Sequence, residues 1–237
     1  MGTFINKNEY SQLEQNTVDS RNQLKESNVV RFYNLENNGL KLMFVGNSIT
    51  LHGKLSSIGW FNEWGMAASR EDNDYVHIIM EKIKEKKSDS AFCVCQVASW
   101  ESNYKNGEEK FNLYESARNF NADIIVMRFV ENCAVKDFEP VVFKNEMSKL
   151  LNYLNPQNKA KFVMTTGFWH HPGDEVIEEY AKENNYPIAK LGDLGDDDKM
   201  MAKGLFEHSG VAMHPGDLGM KNIADRIFEK LKSYLGD

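Results

Sequence analysis

No apolar run in this chain approaches the roughly 20 residues needed to cross a bilayer, and the opening MGTFINKNEY lacks the basic-then-apolar order of a secretory leader. The expectation is a cytoplasmic chain with no membrane partner. Gly2 invites a myristoylation reading, but that motif asks for Ser or Thr where Asn6 stands. Positive charge is also short: 28 Lys and Arg against 35 Asp and Glu give a formal net charge of −7. Without a basic stripe interleaved with aromatics there is no electrostatic footprint for nucleic acid, so small molecules or neutral polymers are the expected partners. Cysteine is scarce, three in 237 residues with no CxxC spacing, which suits reduced thiols. Cys93 and Cys95 lie on an apparent strand and are expected to point to opposite faces, giving neither a disulfide nor a metal site. His170 and His171 have no acid or His at a helical i+4 spacing that would suggest metal ligation.

What is present is a globular balance, 41% hydrophobic and 27% charged, enough to build a core. Residues 1–38, rich in Asn, Gln, Glu and Ser, are expected to form an N-terminal arm with one strand candidate at Val29–Phe32, and residues 39–237 a single domain. From Leu40 onward, short β-rich runs alternate with segments of helical period. That alternation describes a parallel sheet covered by helices on both faces, a three-layer α/β/α sandwich with a flavodoxin-like sheet. The strand candidates are Leu40–Val45, Ala91–Val97, Asp123–Phe129, Lys161–Thr166 and Pro187–Leu191. Val76, Ile79, Met80 and Ile83 recur at helical spacing behind a capping Asp74, and Met220, Ile223, Ala224, Ile227 and Leu231 do so behind Asp217, also expected as a cap. Asp196, Asp197 and Asp198 read as a solvated turn.

In an open parallel sheet the crevice lies beyond the carboxyl ends of the strands. The first such loop runs Gly46-Asn47-Ser48-Ile49-Thr50, with Ser48 expected at the start of a helix and backbone N–H groups nearby to hold an anion. Read on its own, Ser48 fits a helix cap, a phosphate-binding turn or a nucleophile.

This block resembles the opening motif of the GDSL/SGNH hydrolases, in which the Ser is the nucleophile, and His214-Pro215-Gly216-Asp217 ahead of the last helix resembles the segment carrying their base. The resemblance spans about residues 40 to 235 and implies the SGNH hydrolase fold, ester hydrolysis through an acyl-enzyme on Ser48 with His214 as base, and no cofactor. It further implies an oxyanion hole from the N–H of Ser48, the N–H at Trp100 or its neighbour Ser99, and the amide of Asn132, where Val130 replaces the family's Gly. The acid usually found three residues before the base falls at Val211. A Ser48–His214 dyad oriented by a main-chain oxygen near Val211 is therefore expected, with Glu131, Glu101 or Glu207 as alternative carboxylates. His171 opens a second His-Pro-Gly-Asp and is the rival base, while His52 is expected to make a satisfied polar contact one helical turn beyond Ser48. Asn47, Trp60 and Trp169 are the candidate substrate contacts. Short acyl esters of a carbohydrate or other small polar alcohol are the expected substrates. The alternatives are a lipase or thioesterase for longer chains, and a non-catalytic ligand-binding domain on the same fold.

Overall fold

The structure, a computed structural model, describes residues 29–236, so most of the expected N-terminal arm lies outside the described residues. In chain order the elements are β1 (Val30–Tyr33), β2 (Lys41–Gly46), α1 (Tyr75–Lys86), β3 (Ala91–Gln96), the single turn α2 (Ala98–Glu101), α3 (Glu115–Phe120), β4 (Ile124–Arg128), α4 (Pro140–Leu154), β5 (Lys161–Thr165), α5 (Gly173–Glu183), β6 (Ile188–Ala189), the single turn α6 (Ser209–Ala212) and α7 (Asp217–Leu235). They build one sheet of order β1-β3-β2-β4-β5-β6. All pairings are parallel except β1 with β3.

The class is the three-layer α/β/α sandwich, with six strands where five were expected. The sixth is β1, the strand candidate at Val29–Phe32 in the expected arm, which forms over Val30–Tyr33 and joins the sheet with Arg31 opposite Val94 and Phe32 opposite Cys93. All four of its residues are half-buried, as suits an antiparallel edge strand. At the opposite edge β6 is reduced to two paired residues, Ile188 with Met164 and Ala189 with Thr165. β2, β3 and β4, in contrast, are buried on both faces and read as nearly continuous apolar runs.

On one face, Val76, Ile79 and Ile83 of α1 and Ile223, Ile227 and Leu231 of α7 pack over Leu42, Phe44, Phe92, Val94 and Val126. On the other, α3, α4 and α5 bring Phe120, Met147, Leu150 and Ile177 onto Met43, Val45, Ile125 and Met127. Each side chain fully buried in this way contributes about 1.5–3 kcal/mol. Cys93 and Cys95 both join this second cluster. The expectation of opposite faces is corrected, because residues two apart on a strand share a face and it is Val94 between them that points the other way.

Asp74 caps α1 as expected, its carboxylate accepting the His77 N–H at 2.8 Å. Asp217 does not cap α7, whose N-cap is Gly216. Its carboxylate instead accepts the Ser69 N–H at 2.8 Å and the Asn73 amide at 2.9 Å, tying the loop ahead of α1 to the first turn of α7. A third apolar cluster does the same over a wider area, joining Ile58, Trp60 and Met66 of the loop after β2 to Phe206, Val211 and Ala212 ahead of α7. These contacts draw together two segments that are distant in sequence and carry Ser48 and His214.

Candidate active site

β2 ends at Gly46, and only glycine fits there: a Cβ would stand 1.8 Å from Thr50 Oγ1 and 2.8 Å from the Arg128 carbonyl oxygen. Thr50 is itself held by Tyr75, hydroxyl to hydroxyl at 2.7 Å. The chain then makes one turn, with the N–H groups of Thr50 and Leu51 both donating to the Asn47 carbonyl at 2.9 Å. The helix expected from Ser48 does not form. A helix would pair the Ser48 carbonyl with the His52 N–H, but the former accepts from Met66 N–H at 2.9 Å and the latter donates to the Trp64 carbonyl at 3.0 Å. The returning loop takes the bonds a helix would have used and leaves Ser48 on a tight corner at the carboxyl end of a central strand.

His214 reaches this corner from the far end of the chain. Its main chain is fixed by the His214 N–H donating to the Val211 carbonyl at 3.0 Å and by the Ala202 N–H donating to the His214 carbonyl at 2.9 Å. Its Nε2 lies 2.9 Å from Ser48 Oγ, and its Nδ1 lies 2.6 Å from the Gly210 carbonyl oxygen. A carbonyl only accepts, so Nδ1 carries the proton and Nε2 presents a lone pair to the Ser48 hydroxyl. The Trp169 ring meets the imidazole edge-on, centroids 5.4 Å apart at 83°. Burial pulls the His214 pKa down to about 4; the Gly210 bond opposes this, Arg128 adds to it, and Glu131 opposes it. The imidazole is thus neutral at pH 7, as a general base must be.

Behind Ser48 lies a buried polar network. Arg128, with no exposed surface, donates to both oxygens of Glu131 at 2.8 and 3.0 Å and to Asn47 Oδ1 at 2.6 Å. Asn47 Nδ2 donates to Glu131 Oε2 at 2.7 Å and Glu101 Oε1 at 3.1 Å. Glu131 also accepts the Phe168 N–H at 2.9 Å, and Glu101 accepts from Val130 and Asn132. Burial raises the Glu131 pKa, but the Arg128 guanidinium, the Phe168 N–H and the Asn47 amide outweigh it and hold the carboxyl below its usual range. Glu101 has no direct cation partner among these bonds. Burial, then the charge of Glu131, push its pKa up to about 7 against the hydrogen bonds from Asn132 and Asn47.

The expected site residues therefore separate into groups. Ser48, His214 and Trp169 come together in space. Asn132 is joined to them through Glu101 and Asn47, its amide Nδ2 donating to Glu101 Oε2 at 2.9 Å. Asn47 was expected to touch substrate, but it is 1% exposed and its amide is committed to Arg128, Glu101 and Glu131. Trp60 is fully buried in the third apolar cluster, edge-on to Trp64 and against Phe206, so it has no face open to substrate. The Trp100 indole is likewise buried, against Phe129 and Phe143. The part of Trp100 expected at the oxyanion hole is its main-chain N–H, in the first turn of α2, which is directed at the Tyr114 hydroxyl oxygen.

The oxygen that orients His214 belongs to Gly210, one residue before Val211, whose side chain is core. Glu131 and Glu101 are bound up in the network, and Glu207 is exposed, so the ring is held by main chain. His171 uses both ring nitrogens locally, with the Cys133 carbonyl at 3.0 Å and the Gly173 N–H at 2.9 Å. His52 bonds the Gly53 carbonyl at 2.6 Å, on a loop rather than on the helix expected. His170 faces Asp196 at 3.0 Å beside a groove of about 550 Å³ lined by His171, Asp174, Glu178, Lys190 and Asp193, which does not include Ser48 or His214. Among the described residues no group of three or more His, Cys, Asp or Glu side chains is arranged to hold a metal ion. Sequence reading missed Arg128, although a charge closing the apolar run Ile124-Ile125-Val126-Met127 implied a buried partner.

No family model matches the chain, and no curated protein matches it in sequence. Solved structures do match. The psychrotrophic esterase EstA from Pseudoalteromonas sp., in a structure inhibited by monoethylphosphonate, is similar with a TM-score of 0.56 at 10% identity over 83% of this chain and 99% of that one. TesA is similar with a TM-score of 0.54 at 14% identity, over 81% of this chain and 98% of that one. A two-domain esterase active on acetylated mannans, co-crystallised with mannopentaose, has a TM-score of 0.53 at 15% identity over 84% of this chain. This chain spans about half the length of that protein, 51%. The likeness is one of fold: a mostly parallel sheet between helical layers, shared with these proteins. Among the described residues no helix is long and apolar enough to cross a membrane.

Proposed function

We propose that this chain is a serine ester hydrolase of the GDSL/SGNH type, acting on short acyl esters, acetyl above all, of a carbohydrate or other small polar alcohol. The observation that carries the reading is the line Ser48 Oγ, His214 Nε2, His214 Nδ1, Gly210 carbonyl, with gaps of 2.9 and 2.6 Å at its two hydrogen bonds. Such a line lets an imidazole take a hydroxyl proton without losing its orientation.

In the proposed reaction the Ser48 hydroxyl transfers its proton to Nε2 as Oγ attacks the ester carbonyl. The oxyanion is met by the N–H of Ser48, the N–H of Trp100 or its neighbour Ser99, and the Asn132 amide. The imidazolium then protonates the leaving alcohol, and water activated by the same Nε2 releases the acid and restores Ser48. Every step uses groups of this chain, and the proposal includes no cofactor. The fold shared with an esterase active on acetylated mannans supports the carbohydrate ester within this reading, and three buried thiols support a reducing, cytoplasmic setting.

The test is Ser48→Ala assayed with p-nitrophenyl acetate and a fluorophosphonate probe. Both activities should vanish while the variant melts as the parent does. Turnover and labelling that persist in folded Ser48→Ala would remove the nucleophile and favour a ligand-binding domain on the same fold.

A further inference from the structure

In an open α/β sheet the loops beyond neighbouring strands are separate pieces of chain, and a site assembled from them needs something to hold their spacing. Here three adjacent loops meet on one carboxylate. Glu101, at the end of α2 in the loop after β3, has no exposed surface. Its Oε1 accepts the Val130 N–H at 2.6 Å, the Asn132 N–H at 3.3 Å and the Asn47 amide at 3.1 Å, and its Oε2 accepts the Asn132 amide at 2.9 Å. Both carboxylate oxygens thus accept from the loops after β2 and β4, three donors on Oε1 and one on Oε2. Arg128 is spent on Glu131 and Asn47, so Glu101 is stabilised by directed N–H groups and not by a contacting cation.

The direction of these bonds matters more than their number. Two N–H groups of the Val130–Asn132 turn converge on one oxygen, which dictates the path of that turn although Val130 stands at its first position. The second oxygen takes one N–H of the Asn132 amide and thereby sets the plane of the whole group. The Asn47 contact fixes the residue immediately before Ser48. Gln at position 101 would keep the shape of the side chain but turn an acceptor into a donor, leaving buried N–H groups facing another N–H.

We propose that Glu101 is a positioning residue, acting through Asn132 and Asn47 to set the oxyanion donors relative to Ser48; this rests on the serine hydrolase reading above. The test compares Glu101→Gln, Asn132→Ala and the double variant, measuring kcat, KM and Tm with p-nitrophenyl acetate and solving the structure of Glu101→Gln. Glu101→Gln should lower kcat by about 10²–10³, as loss of an oxyanion donor does, with KM changed less than about threefold. The double variant should fall within about threefold of Asn132→Ala alone, since both act on one element. In the Glu101→Gln structure the Asn132 amide should have turned or shifted. Losses that multiply in the double variant, a pure KM effect, or a lowered Tm with unchanged kcat would each overturn the proposal. If the parent fails to label at Ser48, the hydrolase reading falls by itself, and an unmoved Asn132 amide in Glu101→Gln would separately sink the positioning role. Should Glu101→Gln not fold, Glu101→Asp, which withdraws the carboxylate by one methylene, is read by the same measurements.

Discussion

The carbonyl oxygen of Gly210 stands 2.6 Å from Nδ1 of His214, in the place where a catalytic triad would put a carboxylate. A carbonyl dipole fixes the tautomer and the ring plane as well as a carboxylate does, but it stabilises the imidazolium far less. The ring is therefore oriented at full strength, while an imidazolium there would be supported at reduced strength.

If the site works as this dyad, neutralising any single carboxylate should miss the loss of about 10⁴ in kcat that follows removal of a triad acid. Glu207→Gln, on the exposed segment ahead of α6, should leave kcat unchanged. Glu131→Gln should cost less than about 10⁴, because it loosens the Arg128 and Asn47 contacts without touching the imidazole. Steady-state kinetics of both variants with p-nitrophenyl acetate checks this, and a loss of that full size in either would identify a hidden acid.

The pH dependence follows from the direction of the His214 shift. Catalysis needs the neutral ring, and burial lowers its pKa from 6.5 to about 4, so protonation is postponed to more acid conditions. The acid limb of kcat/KM assigned to the base should fall near pH 4, and any step near pH 7 belongs to Glu101, whose burial raises its pKa to about 7. A titration of kcat/KM with a non-ionisable ester over pH 3.5–8 would show it, and a limb at 6.5 that persists in Glu101→Gln would mean that the ring is solvated in the free enzyme.

Trp169 packs edge-on against His214 while remaining partly exposed, so it restrains the ring. Pairs of this kind contribute about 0.5–1.5 kcal/mol, which converts to a loss of about two- to tenfold in kcat/KM for Trp169→Ala. Trp169→Phe should recover most of it. Equal losses in the two variants would point to the indole N–H and not to ring packing.

Acyl length separates the esterase reading from the lipase or thioesterase one. Trp60, one of the aromatics expected to line the mouth, is consumed by core packing, which leaves less apolar surface near Ser48 for a long chain. In a p-nitrophenyl series, acetate and butyrate should be hydrolysed much faster than palmitate. A preference for palmitate would overturn the short-acyl assignment.

Much of this architecture was legible in the residues alone. β2, β3 and β4 are buried on both faces, and such strands must be apolar throughout, so their positions showed in the sequence. Asp74 and the period of Val76, Ile79 and Ile83 marked α1 by local chemistry. The Gly46–Thr50 block and His214-Pro215 were visible through their resemblance to the GDSL/SGNH motifs, since Ser48 read on its own also fitted a helix cap or a phosphate-binding turn.

Tertiary structure decided whatever depends on contacts distant in sequence. Whether Ser48 opened a helix was settled by Met66 and Trp64, which take the hydrogen bonds a helix would need. That His214 and not His171 stands at Ser48 was decided by packing across 166 positions of sequence. Trp60 and Trp169 are the same residue type in similar loops, yet one fills a cluster and the other stands beside the base. The partners of Arg128 and Glu101 come from loops after different strands. Propensity and periodicity act over one or two turns of chain, whereas burial and hydrogen-bond partnership are properties of the packed loops, and those arise only when the strands lie side by side.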